Sequence, residues 1–117
     1  MPYLDVMAAP VPADGKDAYL AHVKEATPIF LKHGALRLVE CWGDDVPDGE
    51  TTSFPMAVKL KEGETVVVSF IEWPDRETRD AGMGAVMQDP AMTAMELPFD
   101  GKRLIFGGFD CIMDSKG

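Results

Sequence analysis

From Glu64 to Trp73 the chain reads Glu-Thr-Val-Val-Val-Ser-Phe-Ile-Glu-Trp and stops at Pro74. Three consecutive valines followed by Phe70 and Ile71 have the β-branched and aromatic character of a strand, and Pro74 ends the ladder. Other elements fall into place around this anchor. Tyr3 to Val11 is a mostly apolar strand containing Asp5 and closing at Pro10-Val11-Pro12. Asp14 is placed to cap a helix in which Tyr19, Val23, Ala26, Phe30 and His33 recur at helical spacing, with Gly34 as its stop and Pro28 expected to kink it or restart its last turns. Ala35 to Trp42 is a second strand, followed by the turn-rich stretch Gly43-Asp44-Asp45-Val46-Pro47-Asp48-Gly49. Residues 53–60 read as a short helix capped by Ser53 or as an edge strand broken by Pro55, with the helix favoured. Asp75 caps another helix, weakened by Gly82 and Gly84 and broken at Asp89-Pro90 before a last turn through Met95. Lys102 to Asp114 is the final strand.

The order strand, helix, strand, insertion, strand, helix, strand gives two βαβ halves. Right-handed crossovers then produce a ferredoxin-like α+β fold, βαββαβ, with a four-stranded antiparallel sheet in the order 4-1-3-2 and both helices on one face. A chain of 117 residues is one domain, long enough to bury about two-thirds of its unfolded surface without a metal or disulfide. With 46% hydrophobic and 26% charged residues it has globular composition, and it contains no apolar run long enough to span a membrane. The net charge of −9 repels phosphate backbones and anionic lipid, so neither nucleic acid nor membrane is expected as a partner. The N-terminus lacks a basic region followed by an apolar stretch, which makes a cytoplasmic location the expectation.

One sheet face remains uncovered in such a protomer. Strand alternation assigns Leu36, Leu38, Val66, Val68, Phe70 and Phe106 to it, too much apolar surface to leave in water, so a second copy is expected to close it. The same alternation places one carboxylate per strand on that face: Asp5, Glu40, Glu72 and Asp110. Glu40 and Glu72 fall on adjacent antiparallel strands, and Trp42 lies beside them. Paired acids in a partly apolar cavity raise one another's pKa and serve as acid and base or hold a hard cation; at strand ends they are equally a hydrated rim paired with basic residues of the partner. The complementary face, including Ser69, Cys41 and Cys111, is small and apolar, so both cysteines read as buried reduced thiols on strands at opposite edges of the sheet.

His22 and His33 lie on one helix roughly 16 Å apart along its axis and cannot share a metal. His33 suits the negative end of the helix dipole. Trp42 and Trp73 at strand ends either line a pocket or seal a core, and Met56, Met83, Met87, Met92 and Met95 read as packing filler. No Ser/His/Asp set, phosphate loop, haem attachment site or zinc helix is present, so neither a cofactor nor a metal is expected.

Several blocks in register carry a resemblance. They are Gly34 to Trp42 with Asp45-Val46-Pro47-Asp48-Gly49, Ile71-Glu72-Trp73-Pro74 with Arg79-Asp80-Ala81, Asp89-Pro90-Ala91-Met92, and Pro98 to Arg103 with Gly107-Gly108-Phe109. Over nearly its whole length the chain resembles the YbaA-like family of small bacterial proteins, a family of unknown function. That resemblance implies membership of the dimeric α+β barrel superfamily, in which two ferredoxin-like protomers pack their open sheet faces together. Relatives there include cofactor-independent monooxygenases and haem-degrading enzymes. In its second helix the chain departs from the family pattern, with Gly82-Met83-Gly84 replacing more polar residues. Two functions remain open on the residues: a homodimer that binds or senses a small molecule at the dimer cavity, and a small-molecule enzyme, monooxygenase-like or isomerase-like.

Overall fold

The computed structural model describes residues 1–117. The elements are β1 (Tyr3–Pro12), α1 (Lys16–Lys32), β2 (Arg37–Trp42), α2 (Phe54–Ala57), β3 (Glu64–Trp73), α3 (Arg76–Gln88), α4 (Pro90–Thr93) and β4 (Ile105–Asp110). The sheet is antiparallel in the order β2-β3-β1-β4, the ferredoxin-like arrangement expected.

Local chemistry sets most boundaries. Ser53 accepts from the Met56 N–H and Asp75 from the Thr78 N–H, so both act as N-caps. Residues 53–60 thus contain a short helix. Asp89 ends α3 and caps α4, accepting from the Ala91 N–H. At the end of α1, Gly34 takes φ +111°, its N–H donates to Leu31 O and the Ala35 N–H to Phe30 O, a Schellman stop. One expectation fails at α1: its N-cap is Gly15, without a side-chain hydrogen bond, rather than Asp14. Of the two outcomes expected at Pro28, the restart does not occur, since the helix continues through it to Lys32.

Prolines in a central strand look forbidding, yet β1 continues through Pro10 and Pro12. The Pro2 carbonyl accepts from the Cys111 N–H while the Ala13 N–H donates to Gly63 O, so even-numbered residues of β1 address β4 and odd-numbered ones β3. Pairing with β4 ends at Ala8↔Ile105, so Pro10 and Pro12 aim their nitrogens where no strand needs a donor. β4 is shorter than expected for two reasons. Arg103 is held in a turn by Asp100 and Glu64, and past Cys111 the chain has run beyond the start of β1.

Register corrects the assignment of faces. Tyr3, Asp5, Met7 and Ala9 stand beside Trp73, Ile71, Ser69 and Val67. Leu38, Glu40 and Trp42 stand beside Ile71, Ser69 and Val67, and Phe106, Gly108 and Asp110 beside Met7, Asp5 and Tyr3. This shared face meets the helices: Tyr19 of α1 packs on Ala9, Val11 and Val67, while Trp73 packs with Tyr3, Ala35, Phe30 and Met83. Asp5, Glu40 and Asp110 are therefore on the helix-covered side, whereas Glu72, with Val66, Val68 and Phe70, is on the outer one. Cys41 is also on the outer face and exposed, and Cys111 lies just past β4, partly exposed, so neither is a buried core thiol. They sit at opposite edges of the sheet, as expected. One end of the outer face is covered within the protomer, where Val58, after α2, packs on Ala8 and Val66.

Candidate functional site

Between the sheet and the helices lies a cavity of about 270 Å³, and 15 of the 19 residues lining it are hydrophobic. α1 contributes Tyr19, His22, Val23, Ala26 and Phe30; α3 contributes Met83 and Met87; α4 and the segment after it contribute Met92, Leu97, Phe99 and Leu104. From the sheet come Asp5, Leu38, Glu40, Ser69, Ile71 and Phe106. The helices cross the sheet over alternating side chains that come from all four strands, so the polar atoms on the floor are few and fixed by register.

Glu40 is the centre of these. The Tyr19 hydroxyl donates to its Oε1 at 2.5 Å, and Ser69, its register partner on β3, also hydrogen-bonds to it. Burial pushes the Glu40 carboxyl above the usual carboxylate range, and the two hydroxyls only partly offset this. Burial and the neighbouring carboxylate raise Tyr19 far enough that it remains a phenol donor. Trp42 stands behind Tyr19 in an edge-to-face contact, ring centroids 6.0 Å apart, and does not reach the cavity wall. His22 has its pKa lowered by burial, partly opposed by Glu25, and meets the Phe99 ring edge-on.

Asp5 also borders the cavity but is fully engaged. Trp73 Nε1 donates to its Oδ2 at 2.9 Å, and Arg79 of α3 donates to both oxygens, the shortest contact being 2.7 Å from Nη2 to Oδ1. Arg79 lies over the Tyr3 ring as well. A Cβ on Gly108 would collide with Arg79 Nη2 and with the Tyr3 hydroxyl, which explains a glycine at that point of β4. Asp5 is therefore the structural partner of a base, and the base comes from its own protomer.

Of the five residues marked out in the sequence, the structure brings Asp5 and Glu40 to one cavity, sets Trp42 behind it, and leaves Glu72 and Asp110 elsewhere. Glu72 stands opposite Arg37, whose Nε donates to it at 2.9 Å, and no Glu40–Glu72 pair forms because the two point to opposite faces. Asp110 is exposed at the end of β4. The site also lies inside the protomer, not between protomers. Sequence reasoning missed Tyr19, Ser69 and His22. A serine inside a valine-rich strand is the signal that pointed to a polar partner on the floor. No group of His, Cys, Asp and Glu side chains is arranged to hold a metal ion, and no helix is long and apolar enough to cross a membrane.

Comparison with solved structures finds this fold in a dimeric ferredoxin-like protein from an uncultured marine organism, with a TM-score of 0.56 and 12% identity over 98% of this chain and all of that one. A variant of MhuD, crystallised with two manganese protoporphyrin IX bound per active site, matches with a TM-score of 0.51 and 18% identity over 98% of this chain and 99% of that one. In sequence, the uncharacterized protein YbaA of Escherichia coli K12 is 53% identical over 116 residues, covering 97% of this chain and 99% of its own. YbaA of Shigella flexneri matches equally. The model of the family described as "Protein of unknown function (DUF1428)" matches residues 2–101. Matched along most of its length by that model, and by YbaA at 53% identity, the chain belongs to the DUF1428 family.

Proposed function

We propose that the protein is a homodimer, paired through the outer sheet face, in which each protomer binds a compact, largely apolar small molecule between the sheet and its helices. The observation that carries this reading is the apolar cavity of about 270 Å³ with a single cluster of hydrogen-bonding groups, Glu40, Tyr19 and Ser69, on its floor. Apolar lining supplies affinity and a few fixed polar atoms supply orientation, which is the usual composition of a ligand pocket. The volume lies just below the roughly 300–1,000 Å³ of pockets for drug-sized ligands. It suits a molecule smaller than the porphyrins bound by the MhuD variant.

Native mass spectrometry of freshly purified protein, followed by thermal-shift screening of small apolar compounds, tests the proposal. A retained or stabilising compound whose effect is lost in Val23→Phe, which fills the space from α1, is the expected result. Compounds that stabilise wild type and Val23→Phe equally would remove the cavity from the account.

A second reading, an isomerase-like enzyme, is favoured by one observation. Burial raises the pKa of Glu40 on β2 and lowers that of His22 on α1, bringing an acid and a base that line the same cavity toward the same pH range. On this reading His22→Asn abolishes turnover of a bound compound while leaving its binding in place.

A further inference from the structure

The charges on the cavity wall are unbalanced. None of the residues lining it is Lys or Arg, and its two carboxylates differ in their partners. Asp5 is neutralised by Arg79 and further bonded by Trp73. Glu40 receives only the neutral hydroxyls of Tyr19 and Ser69 and takes part in no ion pair. A carboxylate withdrawn from water with no counter-charge is costly, and the cost is relieved either by a proton or by a cation arriving from outside.

We propose that the cavity takes a compact organic cation, an apolar primary amine whose ammonium group pairs with Glu40 while its hydrocarbon part fills the space among Val23, Phe30, Leu38 and Phe99. This rests on the cavity being a ligand site. Three features favour the amine over other classes. An ammonium brings three donors and a full charge to Glu40, whereas an alcohol brings one donor and leaves the charge uncompensated. A carboxylate or phosphate ligand would meet Glu40 with no lysine or arginine on the wall to offset the repulsion, and burial disfavours the charged form of His22. The aromatic residues Tyr19, Phe30 and Phe99 line the space, and a cation beside an aromatic ring gains attraction beyond hydrophobic burial. The net charge of −9 enriches cations around the molecule in the same sense. Burial of Glu40 adds a thermodynamic consequence in the same sense: it disfavours the charged carboxylate, and an ammonium beside Glu40 favours that form again.

Isothermal titration of the full-length protein with benzylamine, benzyl alcohol and benzoate tests the proposal, since the three share a ring and differ in charge. Benzylamine should bind at least about tenfold more tightly than benzyl alcohol, and benzoate more weakly still. In Glu40→Gln, which keeps an acceptor for Tyr19 but removes the charge, the preference for the amine should disappear while the alcohol still binds. Equal binding of amine and alcohol by wild type, or an amine preference that survives Glu40→Gln, overturns the assignment of the ligand class and leaves the cavity as a ligand site. Failure of all three to bind at millimolar concentration overturns both.

Discussion

Glu40 shows how a single residue is legible by type and illegible by environment. A carboxylate inside an apolar strand stands out in the sequence, but the groups that define its chemistry, Tyr19 and Ser69, come from a helix 21 residues earlier and a strand 29 residues later. They become neighbours only through the β2–β3 register and the packing of α1. The consequence for stability can be signed. Its ordinary value is 4.5, and burial raises it in the native state, so folded protein binds the Glu40 proton more tightly than unfolded chain. Stability therefore falls as pH rises from that value through the raised one, and the penalty is complete above it. Glu40→Gln should be more stable than wild type at mildly alkaline pH, and the advantage should vanish in acid below the ordinary carboxylate value. The weaker hydrogen bond from Tyr19 to an amide works against this gain, but desolvation is the larger influence on Glu40. Urea denaturation across pH checks it. A variant less stable than wild type at every pH would mean that the Tyr19 bond outweighs the cost of burial.

The elements were legible because each is bounded by local chemistry. Asp75 and Ser53 cap, Gly34 stops, Asp89-Pro90 breaks, and Pro74 closes the valine-rich strand; none of these signals depends on distant residues. The relative phase of the strands depends on them entirely. Alternation gives every strand two faces but does not say which face of β3 continues which face of β2, and a shift of one residue exchanges all of them. This is why Glu72 and Glu40 part company, and why the large apolar set Leu38, Met7 and Phe106 lies toward the helices. The two glycines of α3 illustrate the same division. In sequence, Gly82 and Gly84 weaken the helix alike. In the fold, a Cβ on Gly82 would lie 2.5 Å from the His33 carbonyl oxygen and collide with the Trp73 ring, whereas one on Gly84 would meet nothing within 4 Å. Gly84→Ala should thus stabilise the protein by about 0.5–1 kcal/mol through helix propensity. Gly82→Ala should destabilise it by about 1–3 kcal/mol, because the α1 C-terminus and Trp73 must both shift to admit a methyl group. Chemical denaturation of the two variants decides the matter, and equal signs would show that α3 does not press against α1 and β3 at this point.

Taken as a single protomer, the molecule carries more surface than its mass warrants. Its accessible area is 7744 Å² at 12.8 kDa, against about 6,300 Å² expected for a folded monomer of this size. Its radius of gyration is 14.8 Å, against about 13 Å. Part of the excess belongs to the extended segment after β4, where Ile112 and Met113 are exposed. The rest matches the outer sheet face, where the short α2 segment covers only the end near Ala8 and Val66 and leaves Val39, Phe70, Ile105 and Phe109 without a layer above them. A standard interface removes about 800 Å² per partner, which is within the excess. Self-association through that face is the expected outcome, and substitutions on the two faces of the sheet should separate assembly from folding. Phe70, on the outer face beneath the Arg37 guanidinium, should tolerate Phe70→Asp within the protomer because Arg37 is there to pair with the new charge. In a closed dimer the same charge would be buried, at a cost of about 3 kcal/mol or roughly a hundredfold in Kd. Leu38→Asp, on the helix-covered face against Ala35 and Trp73, should instead lower the stability of the protomer itself. Sedimentation equilibrium of wild type should give twice the 12.8 kDa chain mass at micromolar concentration, with Phe70→Asp folded but monomeric. A wild-type monomer would leave the outer face facing water, and a Phe70→Asp dimer of unchanged affinity would place the contact elsewhere.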